Sequence, residues 1–167
     1  MEPDLTALDD HLADHGVDGY LIDADSTDPN QRYLSGFDAP DPFLTCYTPD
    51  GLAVLVSGLE YGRAVTESRA DIVKRPADYD RRQLVAEHGP TEASHRINSA
   101  FLADCGVDSV FVPDRFPLST ADGLREQGHT VSVDTDDVLM DIRAVKQPDE
   151  IDHIRAAQAA NEAAMAA

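Results

Sequence analysis

Lysine is the residue type that this 167-residue sequence most nearly lacks, since Lys74 and Lys146 are its only two. The longest run of basic residues is the pair Arg81 and Arg82. Recognition of a phosphate backbone needs a positively charged stripe, which such a sequence does not supply. We therefore expect no nucleic acid among the partners, and the same shortage of cations argues against an anionic membrane surface.

Long apolar runs and cysteines are also scarce. Residues 1–20 contain acidic side chains throughout and no apolar run of signal-peptide length. No segment approaches the ~20 apolar residues of a membrane span. Cys46 and Cys105 are far apart in the sequence and flanked by apolar residues, which favours buried free thiols over a disulfide or a metal pair. Together these absences predict a soluble, cytoplasmic protein.

Signals of intrinsic catalysis are absent as well. The ten glycines form no phosphate-binding loop, and neither Ser35 nor Ser57 has the preceding glycine of a nucleophile elbow. His11 and His15 have the spacing that places both on one helix face, but the glutamate of a hydrolytic zinc helix is missing, so we interpret them as solvated surface residues. The acidic cluster of Asp134, Asp136 and Asp137 is interpreted as a chance grouping among many acids. We predict no catalytic residue and no metal ligand in this chain.

Acidic side chains dominate what is present. The chain has 32 acidic and 13 basic side chains, a formal net charge of -19, and 24 of the acids are aspartate. This pattern is typical of extreme halophiles, in which molar salt shortens the Debye length to ~3 Å and screens the repulsion. An ordinary acidic protein is the alternative that composition leaves open. The hydrophobic content of 42% suffices for one domain with a core of normal size.

Hydrophobic periodicity predicts an α/β domain. A helix is predicted over residues 4–15, with Asp4 as its cap and Gly16 at its end, followed by a strand over 18–23 and a polar loop over 26–30. An Asp-Gly turn then predicts an antiparallel hairpin, whose strands are 43–47 and 52–56. Further strands and helices then alternate, with strands at 71–74, 109–112 and 130–133 and helices at 59–68, 80–87, 91–104 and 117–127. This order predicts a three-layer domain with a mixed β-sheet and helices on both faces.

The last segment has a different character. From Glu150 to Ala167 the sequence shows an alanine-rich helix pattern with no terminating glycine or proline. We expect this helix to continue into a segment beyond Ala167.

Two segments resemble those of a known family. Residues 30–37, NQRYLSGF, predict a one-turn helix closed by Gly36 with Tyr33, Leu34 and Phe37 buried. They resemble the segment after the first strand in the amino-terminal domains of creatinase/prolidase-type Xaa-Pro dipeptidases and aminopeptidases. Residues 141–151, DIRAVKQPDEI, are similar to the junction that leads from this small domain into the first helix of the metallopeptidase domain.

The resemblance implies both an architecture and a parent activity. It implies a ribonuclease H-like amino-terminal domain over residues 1–140, with 141–167 as the linker and the start of the first catalytic-domain helix. The parent enzyme would hydrolyse peptide bonds that precede proline in short peptides, using two divalent ions (manganese, cobalt or zinc) whose ligands would lie beyond Ala167. This fragment alone would be inactive. Its partners would be its own carboxyl-terminal catalytic domain and a second subunit of a homodimer.

The role that the resemblance implies for this domain itself is substrate gating. The candidate substrate rim is residues 37–43, in which Phe37 and Phe43 offer apolar contact and Asp38 and Asp41 offer carboxylates to the free amine of a peptide. A plain connecting loop is the structural alternative. At the level of the whole protein, a creatinase-like amidinohydrolase and a non-enzymatic peptide- or protein-binding module of the same fold remain alternatives.

Overall fold

A six-stranded mixed sheet forms the centre of the computed structural model, which describes residues 3–166. The strands in chain order are β1 Gly19–Ala24, β2 Phe43–Thr48, β3 Gly51–Leu55, β4 Ile72–Lys74, β5 Ser109–Val112 and β6 Thr130–Val133. Their order across the sheet is β4-β3-β2-β1-β5-β6. Strand β2 is antiparallel to both β1 and β3, whereas the pairs β1–β5, β3–β4 and β5–β6 are parallel. The predicted mixed sheet with its antiparallel hairpin is therefore confirmed.

Helices connect the strands and cover both faces of the sheet. Within residues 3–166 they are α1 Thr6–His15, α2 Pro29–Ser35, α3 Tyr61–Glu67, α4 Arg81–His88, α5 Pro90–Asp104, α6 Leu118–Glu126, α7 Val138–Ala144 and α8 Pro148–Met165, with a 3-10 turn at Pro76–Tyr79. None of these helices combines the length and the apolar character needed to cross a membrane.

The alternation of side chains along each strand builds two cores. On one face, Leu21 and Cys46 pack with Phe101 of α5 and Leu124 of α6. On the other face, side chains of β1 and β5 pack with Leu8 and Leu12 of α1 and Leu139 of α7, and a smaller cluster beside them holds Ala64 of α3. Helices α5 and α6 thus lie on one side and α1, α2, α3 and α7 on the other, as the three-layer prediction requires.

The first helix shows how local chemistry sets its ends. The Asp4 carboxylate accepts a hydrogen bond from the Thr6 backbone N–H at 3.1 Å, which satisfies a donor at the helix start. Gly16 ends the helix in the left-handed region at φ 64°, a conformation that a side chain would disfavour. The predicted end at Gly16 is confirmed, whereas the N-cap residue is Leu5, and Asp4 lies one position before it.

The carboxyl-terminal part contains one helix that the sequence pattern did not predict. Helix α7 buries Leu139 and packs Ile142 against the core that contains α1. Helix α8 follows as predicted and begins with a capping box, in which Glu150 accepts from the Gln147 N–H at 2.9 Å. The predicted boundary between the domain and the linker, between residues 140 and 141, falls inside α7 and stays a prediction. Ala167, the last residue of the predicted helix, lies outside the described residues.

Candidate functional site

Helix α2 carries the first resemblance segment and positions the loop that follows it. Its start is capped by Asp28, whose Oδ1 accepts from the backbone N–H groups of Asn30 at 2.8 Å and Gln31 at 3.0 Å. The predicted polar loop over 26–30 therefore ends two residues earlier than expected, because Asp28 caps a helix that begins at Pro29. The buried Gln31 amide donates to the carbonyls of Ala24 at 3.0 Å and Phe43 at 2.7 Å. These two bonds join α2 to the end of β1 and the start of β2.

The aromatic members of the candidate rim lie inside the protein. Phe37 and Phe43 are buried, and their rings meet edge to face with centroids 5.7 Å apart and an interplanar angle of 72°. The Arg63 guanidinium carbon lies 5.3 Å from the Phe37 ring centroid and shields it further. The structure brings these two rings together beneath the loop, so in this chain they support the loop from below.

The acidic members of the candidate rim are exposed. Asp38 accepts from the Ser26 hydroxyl at 2.7 Å and pairs with Arg32 at 3.2 Å. The Ser26 hydrogen bond, followed by the charge of Arg32, holds the pKa of Asp38 below its ordinary range. Asp41 is also exposed, and it makes no side-chain hydrogen bond or ion pair within residues 3–166. Asp41 therefore offers the less neutralised of the two carboxylates.

A basic cavity lies where α2 faces the segment between α7 and α8, and we name it the junction cavity. Its volume is about 530 Å³, and the cations that line it are Arg32, Arg69, Arg143 and Lys146. Tyr33, predicted to be buried, is only half-buried because its ring lines this cavity. Four of the 13 basic residues of the chain thus line one cavity, beside the carboxylates of Asp149 and Glu150.

The two resemblance segments meet at the junction cavity. Asn30 of the first segment accepts from Arg143 of the second at 2.8 Å, although 113 positions separate them. Arg69, from the stretch between α3 and β4, donates to the Tyr33 carbonyl. Sequence reasoning missed Arg69, because a single arginine in a short connection carries no signal. The hydrogen bond between Asn30 and Arg143 therefore joins α2 to α7.

Two groups of side chains within residues 3–166 have the spacing to bind a metal ion. One consists of His11, His15 and Asp136, and the other of Glu92, His95 and Glu126. The interpretation of His11 as a solvated residue is wrong, because its side chain is only 11% exposed and lies 3.2 Å from the Asp134 carboxylate. His15 is exposed, as expected.

Comparison with protein families assigns this fold and these segments to one class. The model of the creatinase/prolidase N-terminal domain matches residues 5–145. The chain therefore belongs to the creatinase/prolidase N-terminal domain family. A search of curated proteins finds no match.

Solved structures show the same fold. The prolidase from Pyrococcus horikoshii OT3 superposes with a TM-score of 0.67 and is 21% identical, over 96% of this chain and 41% of that one. A proline dipeptidase from Streptococcus pneumoniae gives a TM-score of 0.59 at 19% identity, over 86% of this chain and 99% of that one. The N-terminal domain of the cytoplasmic peptidase PepQ from Mycobacterium tuberculosis H37Rv gives 0.56 at 15% identity, over 81% and 95%. The chain thus spans about two fifths of the length of the Pyrococcus prolidase.

Proposed function

We propose that these residues form the non-catalytic amino-terminal domain of a Xaa-Pro peptidase that hydrolyses peptide bonds preceding proline. The observation that carries the proposal is the family match over residues 5–145. Two further findings support it: the chain covers only 41% of the Pyrococcus prolidase but 95% of the PepQ N-terminal domain. We assign residues 1–140 to this domain and 141–167 to the linker and the first helix of a catalytic domain.

The proposed partners follow from the surface of α8 and from the family resemblance. Helix α8 buries no residue within the described chain, and it exposes Ile154 and Met165. We propose that this helix packs within a catalytic domain of the same protein, and that the whole protein acts as a homodimer in the cytoplasm. The aspartate-rich surface further suggests a salt-adapted host.

The family resemblance also implies a centre with two divalent ions held by two Asp, one His and two Glu. The residues described here do not fit that centre. Each of the two candidate metal groups supplies three ligands, and neither supplies the two aspartates together with the two glutamates. We therefore place the ligands of that centre outside these residues and derive no catalytic step from this chain.

Within the whole protein, we propose that the candidate substrate rim, the loop of residues 37–43, limits substrate length and contacts the free amine of the peptide. The exposed carboxylate of Asp41, with support from Asp38, is the contacting group. The Phe37 and Phe43 rings hold the loop in place, because their edge-to-face packing anchors both of its ends. Two prolines, Pro40 and Pro42, further restrict the backbone between them.

Comparison of residues 1–167 with the full-length protein tests the activity. In molar KCl with Mn²⁺, we expect the full-length protein to cleave Ala-Pro or a longer Xaa-Pro peptide, and residues 1–167 to cleave neither. Cleavage of creatine, or no turnover by a folded, metal-loaded full-length protein, would contradict the peptidase proposal. Metal-dependent cleavage by residues 1–167 would contradict the non-catalytic assignment.

The rim is tested with the same substrates in the full-length protein. We expect Asp41→Asn to raise KM for peptides with a free amine by about threefold to tenfold and to leave kcat little changed, since an exposed ion pair contributes about 1 kcal/mol. The matched control is Asp114→Asn, which removes one exposed carboxylate after β5. Equal KM values for Asp41→Asn, Asp114→Asn and the unmodified enzyme would rule out the contact.

A further inference from the structure

We propose that His11, His15 and Asp136 form a binding site for a divalent transition-metal ion, with Zn²⁺ as the representative ion. The two histidines lie one turn apart on α1, and Asp136 comes from the loop between β6 and α7. One ligand atom from each side chain lies within 4.8 Å of those of the other two. Zn²⁺ binds nitrogen and carboxylate oxygen at about 2.0–2.2 Å, so modest side-chain rotation brings all three into coordination distance.

Each imidazole already has the second hydrogen-bond partner that metal-bound histidines use. Nδ1 of His15 lies 2.9 Å from the His11 carbonyl oxygen, and Nε2 of His11 lies 3.2 Å from Asp134 Oδ1. When these nitrogens carry the proton, Nε2 of His15 and Nδ1 of His11 retain the lone pairs that bind a metal. A carbonyl and a carboxylate are the acceptors that orient metal-bound histidines in known sites.

The supporting groups are themselves held in place. Asp134 is buried, and its carboxylate accepts from the backbone N–H groups of Asp136 at 3.1 Å and Val138 at 3.2 Å. Both imidazole rings pack on Phe111, with centroid separations of 5.1 Å for His11 and 5.3 Å for His15. This packing restricts the rings, which lowers the entropy lost when a metal binds.

The types of ligand select the class of metal. Two imidazole nitrogens and one carboxylate oxygen suit Zn²⁺, Co²⁺ or Ni²⁺, whereas Mg²⁺ and Ca²⁺ prefer oxygen ligands alone. Three protein ligands leave a fourth tetrahedral position for water.

The second metal-spaced group is a weaker candidate for the same kind of ion. It contains only one imidazole, His95, and the Arg96 guanidinium lies 2.7 Å from Glu92. A cation already paired with Glu92 disfavours a second cation beside it.

Titration of the tag-free 1–167 chain with ZnCl₂ tests the site. We expect calorimetry to show saturable binding of one equivalent, and a saturating concentration to raise the melting temperature by about 5 °C or more. MgCl₂ at the same concentration should produce no such shift. Co²⁺ should develop the visible absorption of a four-coordinate ion.

The variants separate this site from other acidic or histidine-containing surfaces. His15→Gln and Asp136→Asn change exposed side chains, so both variants should fold, and we expect each to weaken Zn²⁺ binding tenfold or more. The control His88→Gln, at an exposed histidine at the end of α4, should bind as the unmodified chain does. Unchanged affinity in both ligand variants, or no saturable uptake by the folded unmodified chain, would overturn the proposal.

Discussion

Asp18 shows how one side chain can join two strands that are distant in the sequence. It stands directly before β1, and its Oδ2 accepts from the Ser109 hydroxyl at 2.7 Å and the backbone N–H groups of Ser109 at 2.8 Å and Asp108 at 3.1 Å. These bonds connect the starts of the parallel strands β1 and β5. They also favour the ionised carboxylate, so the Ser109 hydroxyl above all, and the two N–H groups, hold the pKa of Asp18 below its ordinary value of 3.8.

A lowered pKa in the folded state makes the contribution of Asp18 depend on pH. The stabilisation is present above the unfolded-state pKa and is lost as pH falls through the folded-state pKa. We expect Asp18→Asn to lower the free energy of unfolding by about 1 kcal/mol at pH 7, since the side chain is exposed and partly solvated. Urea unfolding between pH 7 and pH 3 should show this difference shrinking below pH 4.

The control for this measurement is Asp114→Asn, an exposed aspartate whose loss changes the net charge equally. It makes no side-chain hydrogen bond to another residue of the described range. A difference for Asp18→Asn that stays constant with pH, or that matches Asp114→Asn, would show that these hydrogen bonds do not depend on ionisation.

Among the secondary-structure elements, those with strong local signals were predictable. The hairpin was found because two β-rich runs flank an Asp-Gly turn, and the register from Thr48↔Gly51 to Leu44↔Leu55 follows from that turn. Helix α1 was found because its leucines repeat at helical spacing and its ends carry a cap and a glycine. Local sequence signals are sufficient to predict such elements, because packing in the folded protein favours the same conformation.

The elements and positions that were missed depend on distant partners. Helix α7 has only seven residues, so its sequence shows no clear helical period of apolar residues. Its apolar side chains pack in the core that contains α1, and the sequence does not reveal this contact. His11 was misread because its partner Asp134 lies 123 positions away. Cys46 and Cys105 are free thiols as predicted, but only Cys46 is buried, and Cys105 is half-buried. Both line a cavity of about 120 Å³ that the sequence did not predict.

For the candidate site, sequence resemblance located the loop but not the roles within it. Phe37 and Phe43 were expected to offer apolar contact, whereas their rings meet each other in the interior. Alternation along β2 turns Phe43 toward the face that α2 and α3 cover, which a motif comparison does not reveal. Asp38 and Asp41 lie on the surface, where water solvates their charged carboxylates. Their role as substrate contacts stays a prediction.

For the molecule as a whole, the excess of acidic side chains decides how stability responds to salt. Even if every basic residue were paired, 19 negative charges would remain. Exposed ion pairs such as that of Arg32 with Asp38 contribute little to stability, and they weaken as salt is added. Repulsion among the unpaired acids also weakens, because the Debye length falls from about 10 Å at 0.1 M to about 3 Å at 1 M. With so large an excess of one sign, the relief of repulsion should be the greater effect.

We therefore expect the melting temperature at pH 7 to rise by several degrees between about 0.1 M and 2 M KCl, measured by circular dichroism with EDTA present to remove bound metal. The control is the same series near pH 4.3, the isoelectric point of the sequence, where the net charge approaches zero and the rise should be much smaller. Equal rises at both pH values would point to a general strengthening of apolar burial by salt. A melting temperature that falls with KCl at pH 7 would mean that the ion pairs outweigh the repulsion, and the acidic surface would then not be a salt adaptation.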